Sequence, residues 1–122
     1  MKTERSRLIR RLDSYFSKFI RNRDNNVCFT CGKPASDNGH YIPRARTQFR
    51  WDEKNCNAQC KHCNWTLEGN KDIYRKKLIA KYGKDFIELI EAESHKNYHF
   101  PLSDIKILIE VYRPLIEKLN KE

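Results

Sequence analysis

At 122 residues and 14.7 kDa the chain has the size of one domain. Charged residues make up 34%, the formal net charge is +9 and the mean hydropathy is −0.88, and no run approaches the roughly 18 apolar residues of a membrane span, which argues against a membrane partner. Two Trp, six Tyr and six Phe supply core anchors and exclude wholesale disorder.

In chain order, residues 4–22 form an amphipathic helix by spacing. Leu8, Ile9, Leu12, Tyr15, Phe16, Phe19 and Ile20 recur on one side, Thr3 is its N-cap, and Asp24-Asn25-Asn26 ends it. Residues 27–59 lack helical period and read as hairpin-rich loop. Val27–Thr30 and His40–Ile42 are its β-prone pieces, punctuated by Pro34 and by Asn38-Gly39 as a turn. A second helix is expected from Cys60 toward Gly69, and a third over 71–82 with Gly83 just past its end. Another opens at Asp85. The last takes Ser103 as N-cap and Leu102 as a staple onto Ile107, and Pro114 should kink or interrupt it. The implied architecture is α+β: one domain over 1–122, with a basic helix (1–24), a cysteine-rich core (25–70) and C-terminal helices (71–122).

Charge is unevenly placed. Residues 1–23 carry net +6, 24–83 net +5 and 84–122 net −2. A polyanion such as nucleic acid suits the basic part, because each phosphate neutralised releases counterions. The plainer alternative is that Lys and Arg solvate helix faces. The opening Met-Lys-Thr-Glu-Arg is followed by no apolar h-region, so a cytosolic setting is expected.

Five cysteines include two matched pairs, Cys28-x2-Cys31 and Cys60-x2-Cys63, with 28 residues between them. Two-residue spacing lets both thiolates of a pair reach one tetrahedral ion, and four thiolates close its coordination shell. A structural Zn²⁺ is the expectation, against a redox Cys-x-x-Cys or unlinked core cysteines. Gly32 suits the tight knuckle, and Cys56 reads as a small packed hydrophobe.

A plain zinc ribbon needs little between its pairs, yet this insert holds Asp37-Asn38-Gly39-His40-Tyr41 and Asn55-Cys56-Asn57-Ala58-Gln59, and Asn64 follows Cys63. Imidazole, carboxylate and amide groups around a knuckle suit metal-assisted phosphodiester cleavage. A His can take a proton from water near neutral pH. A carboxylate and an amide oxygen can hold one Mg²⁺ that keeps most of its waters.

These residues resemble the HNH, or ββα-metal, nuclease superfamily and, more narrowly, the NinG (Rap) family of phage recombination proteins. The shared pieces run from Phe19-Ile20-Arg21-Asn22-Arg23-Asp24 through the cysteine frame, Gly39-His40-Tyr41, Phe49-Arg50, Asn55 and Gln59-Cys60-x2-Cys63-Asn64 to Gly69-Asn70 and Tyr74-Arg75. The resemblance implies a zinc-bound ββα core with flanking helices. It also implies a structure-selective endonuclease using Mg²⁺ or Mn²⁺ on branched DNA such as Holliday junctions, in the cytosol of a phage's host.

Carried onto this chain, His40 is the general base, Asn64 and Asp37 are ligands of the catalytic ion, and Asn55 holds the His40 loop through backbone groups. Many superfamily members have Asp directly before the base, where this chain has Gly39. On a regular strand Asp37 and His40 point to opposite faces, so Asp37 serves only if Asn38-Gly39 makes a turn or bulge; Asn38 is the fallback ligand. Arg44, Arg46, Arg50, Lys61, Lys71 and Arg75 are the expected phosphate contacts. Each has a plainer reading: packing for His40, turn capping for Asp37, local bonding for Asn64, surface charge for the cations. Trp51 and Trp65 are expected in the core, with base stacking as the alternative. His62, His95 and His99 read as exposed or packing residues, and Asn57 carries a weaker role. Symmetric cutting of a junction would need two sites, which a homodimer would supply. The rival functions are a non-catalytic zinc module that binds nucleic acid and a restriction, homing or nonspecific HNH nuclease.

Overall fold

A computed structural model describes residues 3–121; Met1 and Lys2 of the opening segment and Glu122 lie outside the described residues. The elements are α1 (Glu4–Arg23), β1 (Asp37–His40), α2 (Thr47–Arg50, one turn), β2 (Cys56–Gln59), a π-helical turn (His62–Thr66), α3 (Lys71–Tyr82), α4 (Lys84–Glu93) and α5 (Leu102–Asn120). The strands form one antiparallel pair, with Asp37 opposite Gln59, Gly39 opposite Asn57 and His40 opposite Cys56. This is a small α+β fold in which helices flank a two-stranded sheet.

The periodic stripes decide where the helices pack. Thr3 caps α1, its hydroxyl accepting from the Ser6 amide at 3.1 Å. Leu12, Phe16 and Ile20 then bury one face of α1 against Ile105, Ile109 and Tyr112 of α5, with Trp51 and Cys56 closing the cluster. The Phe16 and Tyr112 rings meet edge to face, centroids 5.1 Å apart. A second cluster joins Tyr74 and Leu78 of α3 to Ile87 and Ile90 of α4, with Ile42 and Phe49 from the loop between the strands. A third, small one lies at the knuckle and contains Cys28, Ala35, Ala58 and Cys63. Cys56 is fully buried and belongs to the α1–α5 cluster.

Five expectations are corrected. The β-prone pieces are misplaced: Val27 makes only an isolated bridge to Pro34, while β1 begins at Asp37 and ends where the second piece was expected to begin. Asn38-Gly39 lies inside that strand and does not turn. Gly39 is there for clearance: a Cβ on it would sit 1.9 Å from Oε1 of the fully buried Gln59. The helix expected from Cys60 is one widened turn, closed by the Leu67 amide on the His62 carbonyl at 2.9 Å and stopped by left-handed backbone at Glu68 and Asn70. The last helix starts one residue before its expected cap. Pro101, extended at φ −62° and ψ 143°, takes the Asp104 and Ile105 amides on its carbonyl, and Ile107 is exposed, so no staple forms. The helix also continues through Pro114, whose missing amide leaves the carbonyl of exposed Glu110 for water, while Tyr112 and Ile116 stay buried on either side.

The Gly39–Gln59 contact carries a testable consequence. Gln59 donates to the Thr30 hydroxyl at 3.1 Å and the Gly69 carbonyl at 2.9 Å, so it cannot move aside without losing them. Gly39→Ala is expected to lower stability in urea unfolding by about 1–3 kcal/mol, with little change in m.

Candidate functional site

The knuckle brings together two segments far apart in sequence. Cys28 and Cys31 lie in a tight loop closed by the Cys28 amide on the Lys33 carbonyl (2.8 Å), with Gly32 at φ +80°. Cys60 and Cys63 lie at the end of β2 and on the π turn. All four Sγ atoms fall within 4.8 Å of one another, and Cys31 and Cys60 are 3.6 Å apart. Tetrahedral coordination at 2.3 Å from a metal places sulfurs about 3.8 Å apart, so the cluster fits one ion. The surroundings suit thiolates: the Cys63 amide donates to Cys60 Sγ (3.4 Å), Asn70 Nδ2 to Cys63 Sγ (3.7 Å), and the Thr30 hydroxyl lies 3.3 Å from Cys28 Sγ. Thr30 Oγ1 already accepts from Gln59, so its proton is free to point at the sulfur. Burial pushes the Cys28 thiol up, but Thr30 and backbone amides bring it down to about 6. Cys31, despite the Lys33 amide, is pushed up to about 12 by burial and its three sulfur neighbours. Sulfurs this crowded cannot ionise together without a cation between them.

Beside the knuckle lies an open groove of about 780 Å³, lined by Asp37, Asn38, His40, Asn64 and Trp65 and by Asp13 and Arg21 of α1, with Arg44, Lys61 and Lys71 also on its walls. Asp37 is the most heavily bonded group in it. Its carboxylate accepts from Lys61 Nζ at 2.9 Å, Asn64 Nδ2 at 3.2 Å, Trp65 Nε1 at 3.1 Å and the Ser36 hydroxyl at 3.2 Å. Partial burial works against the charge, but Lys61, Asn64 and Ser36 hold the carboxyl below its usual range. Among the described residues Asn64 Oδ1 accepts no hydrogen bond, and the buried Asn38 Oδ1 has none either. Strand alternation sets Asn38 and His40 on one face of β1 and Asp37 on the other.

His40 is held from behind. Its Nε2 lies 2.9 Å from the Arg50 carbonyl, and since a carbonyl only accepts, Nε2 bears the proton and Nδ1 keeps the lone pair. Asp13 fixes that carbonyl's segment, accepting from Arg50 Nε and from Trp51 Nε1, each at 3.0 Å. Burial pushes the His40 pKa down to about 4, helped by Arg50 and Arg44 and opposed by the Arg50 carbonyl and Asp13, so the ring is neutral at pH 7. The same loop is closed by the buried Asn55, which accepts from the Ile42 amide (2.7 Å) and donates to the carbonyls of Ile42 (3.1 Å) and Phe49 (3.0 Å). Tyr74 donates to the Gly39 carbonyl at 2.8 Å, and Asn57 donates to Tyr74 and accepts from Arg23.

The family model described as "Bacteriophage Lambda NinG protein" matches residues 2–122. The chain belongs to the NinG family. It is 32% identical over 121 residues to protein ninG of Escherichia phage lambda, covering 95% of this chain and 59% of that protein. With protein ninG of Salmonella phage P22 it shares 33% over 121 residues, again 95% of this chain and 59% of that protein. The chain thus spans about three fifths of the curated NinG relatives it matches. No solved structure matches it.

In this NinG chain the expected phosphate contacts divide. Arg44 and Lys61 are exposed on the groove. Arg46 lines a separate cavity of about 210 Å³ with Thr47, Lys96 and Tyr98. Arg50 is bound to Asp13, and Arg75 to Glu91 at 2.8 Å, so both are committed to internal pairs. Lys71 is half-buried with its ammonium on the carbonyls of His40 and Tyr41, and burial pushes its pKa down to about 8. Trp51 is in the core as expected, but Trp65 is exposed, which corrects its core assignment. Asp13 and Arg21 were missed by sequence reasoning. The one available signal was an acidic residue beside Leu12 on an otherwise basic helix.

Two measurements check these features. Purified protein is expected to carry one zinc per chain, and stripping it with a strong chelator, or Cys63→Ser, should lower the melting temperature well beyond ordinary surface substitutions. Folding favours the neutral His40 ring, so between pH 6.5 and about 4 the unfolded chain binds a proton that the folded chain does not. Stability from this group is complete above pH 6.5 and is lost as pH falls through about 4, by at most about 3 kcal/mol. The pH 4.5-to-7 difference in melting should therefore be smaller in His40→Gln than in the parent, with thiolate protonation common to both.

Proposed function

We propose that this NinG-family chain is a divalent-metal-dependent DNA endonuclease of the HNH, or ββα-metal, type, with branched recombination intermediates as its preferred substrates. The observation that carries the reading is the meeting of Asp37 from β1 with Asn64 from the π turn, in a groove also lined by His40 and by cationic side chains. Two antiparallel strands followed by a turn bearing the asparagine follow the order a ββα-metal core requires, with the helix shortened to one π turn.

Asp37 and the free Oδ1 of Asn64 would hold the catalytic ion. β1 does not turn at Asn38-Gly39, so Asp37 and His40 leave opposite faces of the strand, but both line the one groove; Asn38, on the His40 face with its Oδ1 unpaired, is the alternative ligand. Lys61, exposed over 73% of its side chain, places its ammonium on the carboxylate, so one cation already sits where the ion would bind. The exposed Lys61 ammonium gains little from the pair and can yield to a hydrated divalent ion. When bound, Mg²⁺ or Mn²⁺ would stabilise charge on the phosphate and the departing 3′-oxygen. His40, neutral and with its Nδ1 lone pair unused, accepts the proton of the attacking water. Asn55, and Asp13 through the Arg50 carbonyl, keep the ring in place. Arg44 and Arg21 reduce the repulsion between approaching phosphates.

The test is incubation of the protein with plasmid and with a synthetic four-way junction, with and without Mg²⁺. Junction cutting that needs Mg²⁺ and falls at least about 100-fold in His40→Ala, with zinc content and junction binding retained, is the expected result. Binding without cutting of either DNA would make the chain a non-catalytic zinc module. Equal cutting of both would make it a nonspecific nuclease.

A further inference from the structure

The side chain that the fold explains least is Trp65. A tryptophan ordinarily buries most of its large surface, as Trp51 does at 6% exposure, yet Trp65 is 72% exposed. It is not a loosely tethered surface residue. It sits on the π turn, whose position is set by Cys60 and Cys63, and its Nε1–H is held by Asp37 Oδ2 at 3.1 Å. The indole's one polar group is therefore satisfied inside the groove while its rings remain uncovered. Around the same groove stand Arg21, Arg44, Lys61 and Lys71. A flat, fixed aromatic face beside a row of cations matches two parts of a nucleotide at once, the base and its phosphate.

We propose that Trp65 is a stacking platform for an unpaired nucleobase, so that the groove recognises DNA whose bases are locally unstacked, at a branch point, flap or single strand, over continuous duplex. The inference rests on the nucleic-acid part of the proposed function and not on cleavage. Duplex DNA hides its base faces and offers the groove only phosphates, which the cations bind without regard to pairing. An unpaired base adds a contact with the indole. Trp65 thus supplies discrimination, while Arg44 and Lys61 supply affinity common to all DNA. An apolar protein partner is disfavoured because the groove that the ring lines also carries ammonium and guanidinium groups.

The test measures binding by fluorescence anisotropy without added divalent ions or chelator, so that zinc stays in place and cleavage plays no part. The ligands are a duplex of about 20 base pairs, the matching single strand and a four-way junction. Trp65→Ala is expected to weaken single-strand binding roughly tenfold or more and to leave duplex binding within about twofold. Trp65→Phe, which loses the bond to Asp37 but keeps a ring, should retain most of the single-strand affinity and so separates stacking from any effect on Asp37. Lys61→Ala should weaken all three ligands alike. A 2-aminopurine at an unpaired position should be quenched by the parent and not by Trp65→Ala. Equal losses on duplex and single strand, or no loss on either, with zinc content and melting unchanged, would overturn the proposal. If discrimination is confirmed while no cutting is seen with Mg²⁺, the base platform stands and the nuclease reading falls.

Discussion

The gathering of Cys28, Cys31, Cys60 and Cys63 is the constraint on which the rest depends. It ties the loop after α1 to the end of β2, and its influence passes inward by direct contacts. Thr30 touches the Cys28 sulfur, Gln59 holds Thr30, and the Gln59 side chain lies against Gly39 in the neighbouring strand. The strand that carries Asp37, Asn38 and His40 is therefore braced against the sulfur cluster through three buried or nearly buried groups. A two-stranded sheet is marginal alone, and here packing on α1 and α3 and the closure of the knuckle supply what the ladder lacks.

The helices and the cysteine frame were legible because each rests on local chemistry. Thr3 capping, the Leu12–Phe16–Ile20 stripe and the paired cysteine spacing are decided within a few residues. What escaped the sequence is decided by partners distant along the chain. Asn38-Gly39 carries a strong turn signal, yet it lies in a strand paired with Asn57 and Ala58 of β2, where Gly39 clears the Gln59 side chain. The segment after Cys60 has helical composition but becomes one π turn, since both cysteines must face the knuckle and Gly69 must return its amide to the Cys63 carbonyl. Trp65 looked like a core residue because tryptophan usually is one, and only the position of the π turn places it outside.

Net charge gave the sign of the surface but not the duty of each residue. Arg23 illustrates the difference: it bonds the carbonyls of Glu53 and Cys56 and the side chains of Asp24 and Asn57, which makes it a strut between α1 and β2. Arg50 and Arg75 are similarly taken by Asp13 and Glu91. At the groove the basic character open to a polyanion is concentrated in fewer side chains than composition implies: the exposed Arg44, and Lys61, which is held by Asp37. A smaller free set favours a defined path for a backbone across the groove over diffuse attraction.

The arrangement around His40 shows why α1 is more than a basic handle. Asp13 is its only carboxylate beyond the first turn, and it lies where the helix meets the segment after α2. By taking both the Arg50 guanidinium and the Trp51 indole N–H, it fixes the peptide whose carbonyl selects the His40 tautomer. Removing that carboxylate would leave Arg50 half-buried without its partner and free the carbonyl to rotate, so the protonation pattern of the proposed base depends on a residue on a different element. The apolar stripe of α1 packs the helix against α5 and so delivers Asp13 to that position. In this fold the hydrophobic face of a helix thereby sets the hydrogen-bonding state of an imidazole in the groove.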